Sequence, residues 1–452
     1  MSPRVVVLLL LQATLASAWS ATDDDRLTFQ VETVDGREIA SQRPDEPFNP
    51  ASVVKVGTSL WALERLGAGH RFVTRFGFSG RFDPESGTIA GDLIVTGGGD
   101  PDFHLENVAL VARELNAIGI ERVTGDLVVT GLFWLGWEHG VEGRLDDPEA
   151  RARVMGVRLL EALDSTRWDT GAETAWHELC ARRGWPERPR PRLVVAGDVR
   201  QAQSGEVRLL AVHRSNPLAV TLKRFNTYSN NDLIRIAEPL GGAAALEAFL
   251  SRRLEVNRPA LELSTASGER RNRMTARTAV ELMRQFVAAT GARGVRVADV
   301  LVVPGCDPGP TRRMFPRFAS GPYANTVVCK TGTLTATDGG TVVLSGLVRS
   351  RRHGELLFCV AAPRTGHAVS HWRRIEQEWL IDLIDDAGGA EPVACGGAFP
   401  MSDTYARVEI PTPPAAGGEC AESYRAAYHP AYRVVLEQLA HKYGWCDVPD
   451  HP

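Results

Sequence analysis

The chain has 452 residues, 44% of them hydrophobic and 23% charged, the balance of an ordinary folded protein rather than a disordered or fibrous one. At this length two or three domains are expected. Lysine and arginine number 51 against 55 aspartate and glutamate, a formal charge of −4 spread along the sequence, which argues against a general nucleic-acid binder.

Arg4, an apolar run over residues 5–11 and Ala16-Ser17-Ala18 have the order of a secretory leader with a small-x-small cleavage site. The reading is a signal peptide over 1–18, a mature chain starting near Trp19 and an oxidising, periplasmic compartment. After the leader no apolar run approaches the roughly 20 residues that cross a bilayer. The seven cysteines contain no Cys-x-x-Cys pair, so zinc ribbons and thioredoxin-type sites are not expected. Cys395, Cys420 and Cys446 cluster near the C-terminus and could staple that tail. Cys329 and Cys359 sit in strand-like apolar runs and read as inert core residues. His367 and His371 are four apart but lack the glutamate of a His-Glu-x-x-His site, and no metal or cofactor is expected.

Residues 27–34 and 37–40 flank Asp35-Gly36, a hairpin signal. A helix follows from Ser52 to about 66, stopped by Gly67. Residues 77–89 are rich in turn formers and read as a junction. Then comes an alternating unit: a strand over 93–96, a helix over 106–118 and a strand over 127–130. The two strand starts echo each other as Gly91-Asp92-Leu93-Ile94-Val95-Thr96-Gly97 and Gly125-Asp126-Leu127-Val128-Val129-Thr130-Gly131, 34 residues apart. Two copies fall short of the three or so that a repeat array needs, so they read as matching strands of one small domain. Helical patterns recur at 148–163, 218–224, 231–240 and 275–290, and strands at 326–333, 341–349 and 355–361. A last helix over 371–386 carries Trp372, Ile375, Trp379, Leu383 and Ile384 on one stripe, suited to packing on a sheet.

Three short motifs carry the chemistry. Ser52-Val53-Val54-Lys55 opens a helix, so its serine and lysine lie one turn apart on one face. A serine hydroxyl needs a base to become a nucleophile, and a lysine becomes one near neutrality only when burial or a nearby cation lowers its pKa by about three units. The helix N-terminus adds amide dipoles beside developing charge. Ser229-Asn230-Asn231 offers a hydroxyl to relay a proton and a carboxamide to hold a peptide group. Lys330-Thr331-Gly332-Thr333 lies on a strand. Lys330 and Gly332 share one face of it, and a strand glycine marks a place where ligand backbone comes close. Each motif alone also fits a solvated helix start, a polar capping turn or a surface strand end.

Together, in this order and setting, they form the signature set of serine β-lactamases and penicillin-binding proteins. Asn49-Pro50-Ala51-Ser52, Gly91-Asp92-Leu93, Gly98-Gly99-Asp100-Pro101, His213-Arg214-Ser215-Asn216-Pro217-Leu218, Asn226 to Asn231 and Lys330 to Leu334 extend the likeness. Over residues 25–385 the chain resembles the D-alanyl-D-alanine carboxypeptidase/endopeptidase family of penicillin-binding protein 4 type (peptidase family S13). The resemblance implies an α+β fold, a penicilloyl-serine-transferase antiparallel sheet flanked by helices, with a smaller inserted α/β domain. Its boundaries would be 19–80 plus 205–388 for the catalytic domain, 81–204 for the insert and 389–452 for a cysteine-containing tail. It implies Ser52 as acylated nucleophile, Lys55 as general base and Ser229 as proton shuttle. Asn231, Lys330, Thr331, Gly332 and Thr333 would bind substrate, with the Ser52 and Thr333 amides as oxyanion hole. The implied partners are peptidoglycan stem peptides and β-lactams. Nucleic acid and a membrane anchor are not expected, and homodimerisation is left open.

Four features depart from the family pattern. The Ser52–Ser229 interval is short, residues 336–340 are polar, 265–268 lack the usual acidic residue, and the tail has no counterpart. Two other readings stay open. Tyr228-Ser229-Asn230 also fits the Tyr-x-Asn motif of class C β-lactamases and esterases, with Tyr228 assisting proton transfer. The fold could also be kept by a catalytically silent wall-binding homologue.

Overall fold

The computed structural model describes residues 24–138, 140, 145–201 and 207–411. The expected leader, Cys420 and Cys446 lie outside them. The chain divides into two compact units. Of the described residues, one unit comprises 24–70, Gly140 and Leu218–Phe399, and the other comprises Arg71–Glu138, 145–201, 207–217 and 400–411.

The first unit is built on a five-stranded antiparallel sheet. β1 (Thr28–Thr33) and β2 (Glu38–Gln42) form the hairpin expected at Asp35-Gly36, with Gly36 in the left-handed region. β3 (Val327–Leu334), β4 (Thr341–Ser350) and β5 (Gly354–Pro363) complete the sheet in the order β3-β4-β5-β1-β2. β3 is therefore an edge strand, and Gly332 stands opposite Val343 of β4.

Helices cover both faces. α1 (Val54–Leu66) packs against α3 (Ala276–Gly291), and α3 packs on β1, β4 and β5. The Thr275 side chain caps α3 by accepting from the Thr278 amide. α4 (Val369–Asp386) lays Trp372, Ile375, Trp379, Leu383 and Ile384 onto Val327, Cys329, Val342, Leu344, Phe358 and Val360. The stripe seen in the sequence is the one that packs. α2 (Leu218–Tyr228) ends just before Ser229, and Lys223 anchors it by donating to the carbonyls of Ala298 and Leu301 and to the Asp307 carboxylate.

The second unit holds a six-stranded mixed sheet in the order 199–201, 127–132, 93–98, 73–78, 208–214, 407–409. The strands Leu93–Gly98, Leu127–Leu132 and Val199–Gln201 run parallel. The Gly-Asp echo has a third member, Gly197-Asp198. The Asp126 amide donates to the Asp92 carboxylate and the Asp198 amide to the Asp126 carboxylate, while the amides of Gly125 and Gly197 donate to the preceding glycine carbonyls. Arg200 bridges Asp92 and Asp126. This third member leaves no echo in the sequence, because Val199-Arg200-Gln201 does not repeat the apolar run of the others. His213 is fully buried against Phe103 and hydrogen-bonded to Asn107. Asn216 donates to the Met401 carbonyl. His213 and Asn216 of this segment therefore serve packing within the second unit.

Three expectations are corrected. Residues 77–89 are not a junction but hold the end of the strand Val73–Phe78, the strand Arg81–Asp83 and the start of Thr88–Ala90. The second unit is wider than 81–204, because Val73–Phe78 and Arg208–Arg214 pair with each other. Residues 389–411 of the expected tail are tied to both units: Cys395 is bonded to Cys306 within the first, and Arg407–Glu409 pairs with Arg208–Arg214 within the second. A stretch with only three irregular strand residues has no periodicity to read. Among the described residues no helix is long and apolar enough to cross a membrane.

Candidate active site

Ser52 lies in the 3-10 turn Ala51–Val53 that leads into α1. Ala51 has a φ of 47°, an uncommon conformation for a residue with a Cβ, of the kind that clusters at functional sites. Two glycines press on this turn. A Cβ on Gly332 would stand 2.4 Å from the Pro50 carbonyl oxygen, and one on Gly268 1.9 Å from that of Ala51. The glycine of the third motif therefore admits the chain's own serine-bearing turn, where sequence reading expected ligand backbone.

Lys55 is fully buried. Its Nζ donates to Ser52 Oγ at 2.7 Å, Asn231 Oδ1 at 2.8 Å and the Ser267 carbonyl at 2.6 Å. Burial lowers its pKa to about 7, against the opposing pull of the Glu269 carboxylate. Lys330, 1% exposed, donates to Ser229 Oγ at 2.7 Å and to the Thr331 carbonyl at 2.9 Å. Burial holds it well below the ordinary lysine range, helped by the charges of Lys55 and Arg373. Lys330 thus senses the charge of Lys55. Ser52, Ser229 and Asn231 are half-buried, so the polar groups that face the amines also face solvent.

The second motif is shaped by its turn. Ser229 has a φ of 51°, and the Asn230 side chain caps the next turn by accepting from the Asp232 amide. That spends Asn230 on structure and brings residues 229 and 231, not 228 and 230, onto the lysines. Tyr228 is 37% exposed, with its ring edge-on to Phe399 at 5.8 Å. Asn226 is buried and donates to Ser59 Oγ and the Val300 carbonyl. In the third motif, alternation places Lys330 and Gly332 toward the serine turn. Thr331 and Thr333 fall on the face of Cys329, toward α4, and Thr333 Oγ1 accepts from Arg373 at 2.6 Å.

Several residues of this neighbourhood escaped the sequence reading. Residues 265–268 hold no acidic group, but the next residue, Glu269, accepts from Ser267 Oγ at 2.7 Å. Asp338, in the unusually polar stretch, accepts from Asn49, which precedes the serine turn, and from Arg273, whose guanidinium holds its carboxyl at about 2. Gly140 donates its amide to Asp232 and lies beside Asn231 and Glu269. The only signal for the first two was an oddity of composition, which names no partner. Cys329 and Cys359 are buried as expected, and burial pushes both thiols up, Cys329 to about 12.

A serine on a helix start, beside a lysine with a lowered pKa, on a helix-flanked antiparallel sheet, defines the class of serine acyl-transferring enzymes. Comparisons with known proteins identify the branch. The model of the D-Ala-D-Ala carboxypeptidase 3 (S13) family matches residues 12–139 and 193–376, and the chain belongs to that family. It is 26% identical to the D-alanyl-D-alanine carboxypeptidase of Actinomadura sp. (strain R39) over 449 residues, covering 80% of this chain and 81% of the relative. It also shares its fold with the predatory endopeptidase Bd3459 of Bdellovibrio bacteriovorus, solved in complex with immunity protein Bd3460 (TM-score 0.72, 21% identity, 84% of this chain and 99% of the other). The penicillin G-acylated form of Bd3459 superposes with a TM-score of 0.68 at 20% identity, with the same coverage. Penicillin-binding protein 4 of Haemophilus influenzae gives 0.56 at 18% identity, covering 79% and 96%.

Proposed function

We propose that this S13 enzyme cleaves D-alanyl-D-alanine bonds of peptidoglycan stem peptides through an acyl-enzyme on Ser52, and that β-lactams trap it there. The observation that carries the reading is the contact of 2.7 Å between Lys55 Nζ and Ser52 Oγ, made by an amine whose pKa burial lowers to about 7. As an ammonium, Lys55 donates to all three of its acceptors. As a free amine it keeps two donors, for Asn231 and Ser267, and turns its lone pair on the Ser52 proton.

Attack of Ser52 on the scissile carbonyl gives a tetrahedral oxyanion, stabilised by the amides of Ser52 and Thr333; one such donor typically contributes about 3 kcal/mol. Ser229, held by Lys330, relays to the amine of the departing D-alanine the proton that Lys55 took from Ser52, and so ends with its own hydroxyl intact. Asn231, its oxygen taken by Lys55, offers its amino group to the substrate peptide. Lys330 and the Thr331–Thr333 strand edge attract the terminal carboxylate. Water then hydrolyses the acyl-enzyme. The relative that is a D-alanyl-D-alanine carboxypeptidase and the fold neighbour acylated by penicillin G support this chemistry. The leader-like N-terminus supports export, with the periplasm as working compartment. The first unit carries the chemistry, and the second is the insert.

Release of D-alanine from a peptide ending in D-Ala-D-Ala tests the reading. The wild-type protein should release it, and Ser52→Ala and Lys55→Met should reduce the rate at least 1000-fold. Release undiminished in Ser52→Ala would remove the proposed nucleophile.

A further inference from the structure

Behind the strand that carries Lys330, a charged pair is sealed from water. Arg373 and Glu376 lie one turn apart on α4, 2% and 0% exposed. Arg373 Nη1 donates to Glu376 Oε2 at 2.6 Å and to the Val343 carbonyl at 2.9 Å. Its Nη2 donates to the Gly332 carbonyl at 2.7 Å and to Thr333 Oγ1 at 2.6 Å. Replacing a buried ion pair by apolar residues of similar volume often leaves a protein equally stable or more so, so stability alone is a weak reason for this one. Its reach is specific: the guanidinium spans facing carbonyls of β3 and β4 and ends on the last two residues of Lys-Thr-Gly-Thr.

The contact with Thr333 has a directional consequence. A guanidinium is only a donor and keeps its charge at every working pH, whereas a hydroxyl has one proton and two lone pairs. Thr333 Oγ1 is therefore the acceptor, and its own proton points away from Arg373. A hydroxyl that accepts from a charged donor is itself polarised into a better donor. Thr333 is half-buried, near the end of the strand, whereas Arg373 and Glu376 are sealed from water.

We propose that Arg373, held by Glu376, is a positioning residue that presets the Thr333 hydroxyl as a donor to the terminal carboxylate of the substrate, so that the enzyme selects peptides with an anionic end. This rests on the function proposed above. The charged or titratable groups around this end of β3 are Lys330 on the strand itself, Lys55 on α1 with the Glu269 carboxylate acting on it, and the Arg373–Glu376 pair on α4.

The test compares two matched peptides ending in D-Ala-D-Ala, one with a free carboxylate and one with a carboxamide, on the full-length enzyme and its Arg373→Met, Arg373→Lys and Thr333→Val variants. The ratio of kcat/KM for carboxylate over carboxamide should fall about tenfold or more in Arg373→Met and in Thr333→Val, the size expected for one charge-assisted hydrogen bond. The loss should fall on KM of the carboxylate peptide, and Arg373→Lys should recover part of it. The double variant should fall no further than either single one. An unchanged ratio, or equal loss on both peptides, overturns the proposal. If Arg373→Met does not fold, Thr333→Val, which leaves the ion pair in place, decides by the same criterion. A wild-type enzyme that penicillin acylates but whose ratio ignores these changes refutes this inference alone. One that neither takes up penicillin nor releases D-alanine refutes the function beneath it.

Discussion

At the scale of single residues the site depends on keeping a lysine in the wrong medium. Moving its pKa from about 10.4 to 7 corresponds to about 5 kcal/mol of lost preference for the charged form. Two outcomes follow. Acylation needs the free amine, so its rate should rise with pH through a midpoint near 7, as read from a stopped-flow pH profile with a chromogenic β-lactam; a flat profile between pH 6 and 8 contradicts the assignment. Stability should move in the same direction. The unfolded chain holds that proton up to about 10.4 while the folded site releases it near 7, so between those values unfolding takes up a proton and stability rises with pH. The Tm of the wild-type protein should therefore gain on that of Lys55→Met between pH 6 and 9. The glycines that clamp the serine turn are equally specific. A methyl at Gly332 meets backbone, not a flexible side chain, so Gly332→Ala should cut acylation at least 100-fold, at a cost in stability of about 1–3 kcal/mol, checked by penicillin labelling beside a urea melt.

At the scale of elements, the site is assembled from the start of α1, the end of α2 and the edge strand β3, each fixed by something remote. α2 is anchored through Lys223 and Asp307, and Asp307 neighbours the disulfide between Cys306 and Cys395, 89 residues apart in sequence. A cross-link closing a loop of that length stabilises chiefly by restricting the unfolded chain, typically by about 2–4 kcal/mol. The Cys306→Ala/Cys395→Ala variant should lose stability of that order by denaturant titration, while Cys180, Cys329 and Cys359 stay unlabelled by alkylation of the native protein because they are buried. Equal stability of variant and parent would show that the link constrains nothing. α4 shows what periodicity misses: its apolar stripe was readable, but Arg373 and Glu376 lie buried beside that stripe, where a charge would be assigned to solvent.

At the scale of the whole molecule, the parts of the fold legible in the sequence are those with a repeat of their own. The hairpin at Asp35-Gly36, the apolar strands β3 to β5 and the amphipathic α4 each announce their period. The motifs at Ser52, Ser229 and Lys330 could be found because three short patterns agreed in order, although none was specific alone. What stayed hidden depends on groups meeting over long separations. Cys395 finds Cys306, Asp338 finds Asn49, Gly268 and Gly332 find one turn, and Gly197-Asp198 joins a ladder whose other rungs lie some 70 and 110 residues earlier. Such meetings leave no local period or spacing to read.

The most direct measurement is the intact mass of the protein after penicillin treatment, with the adduct mapped by peptide digestion. One penicilloyl group per chain is expected, carried on Ser52, and none on the Ser52→Ala variant. An adduct that persists in that variant, or that maps to another residue, would contradict this.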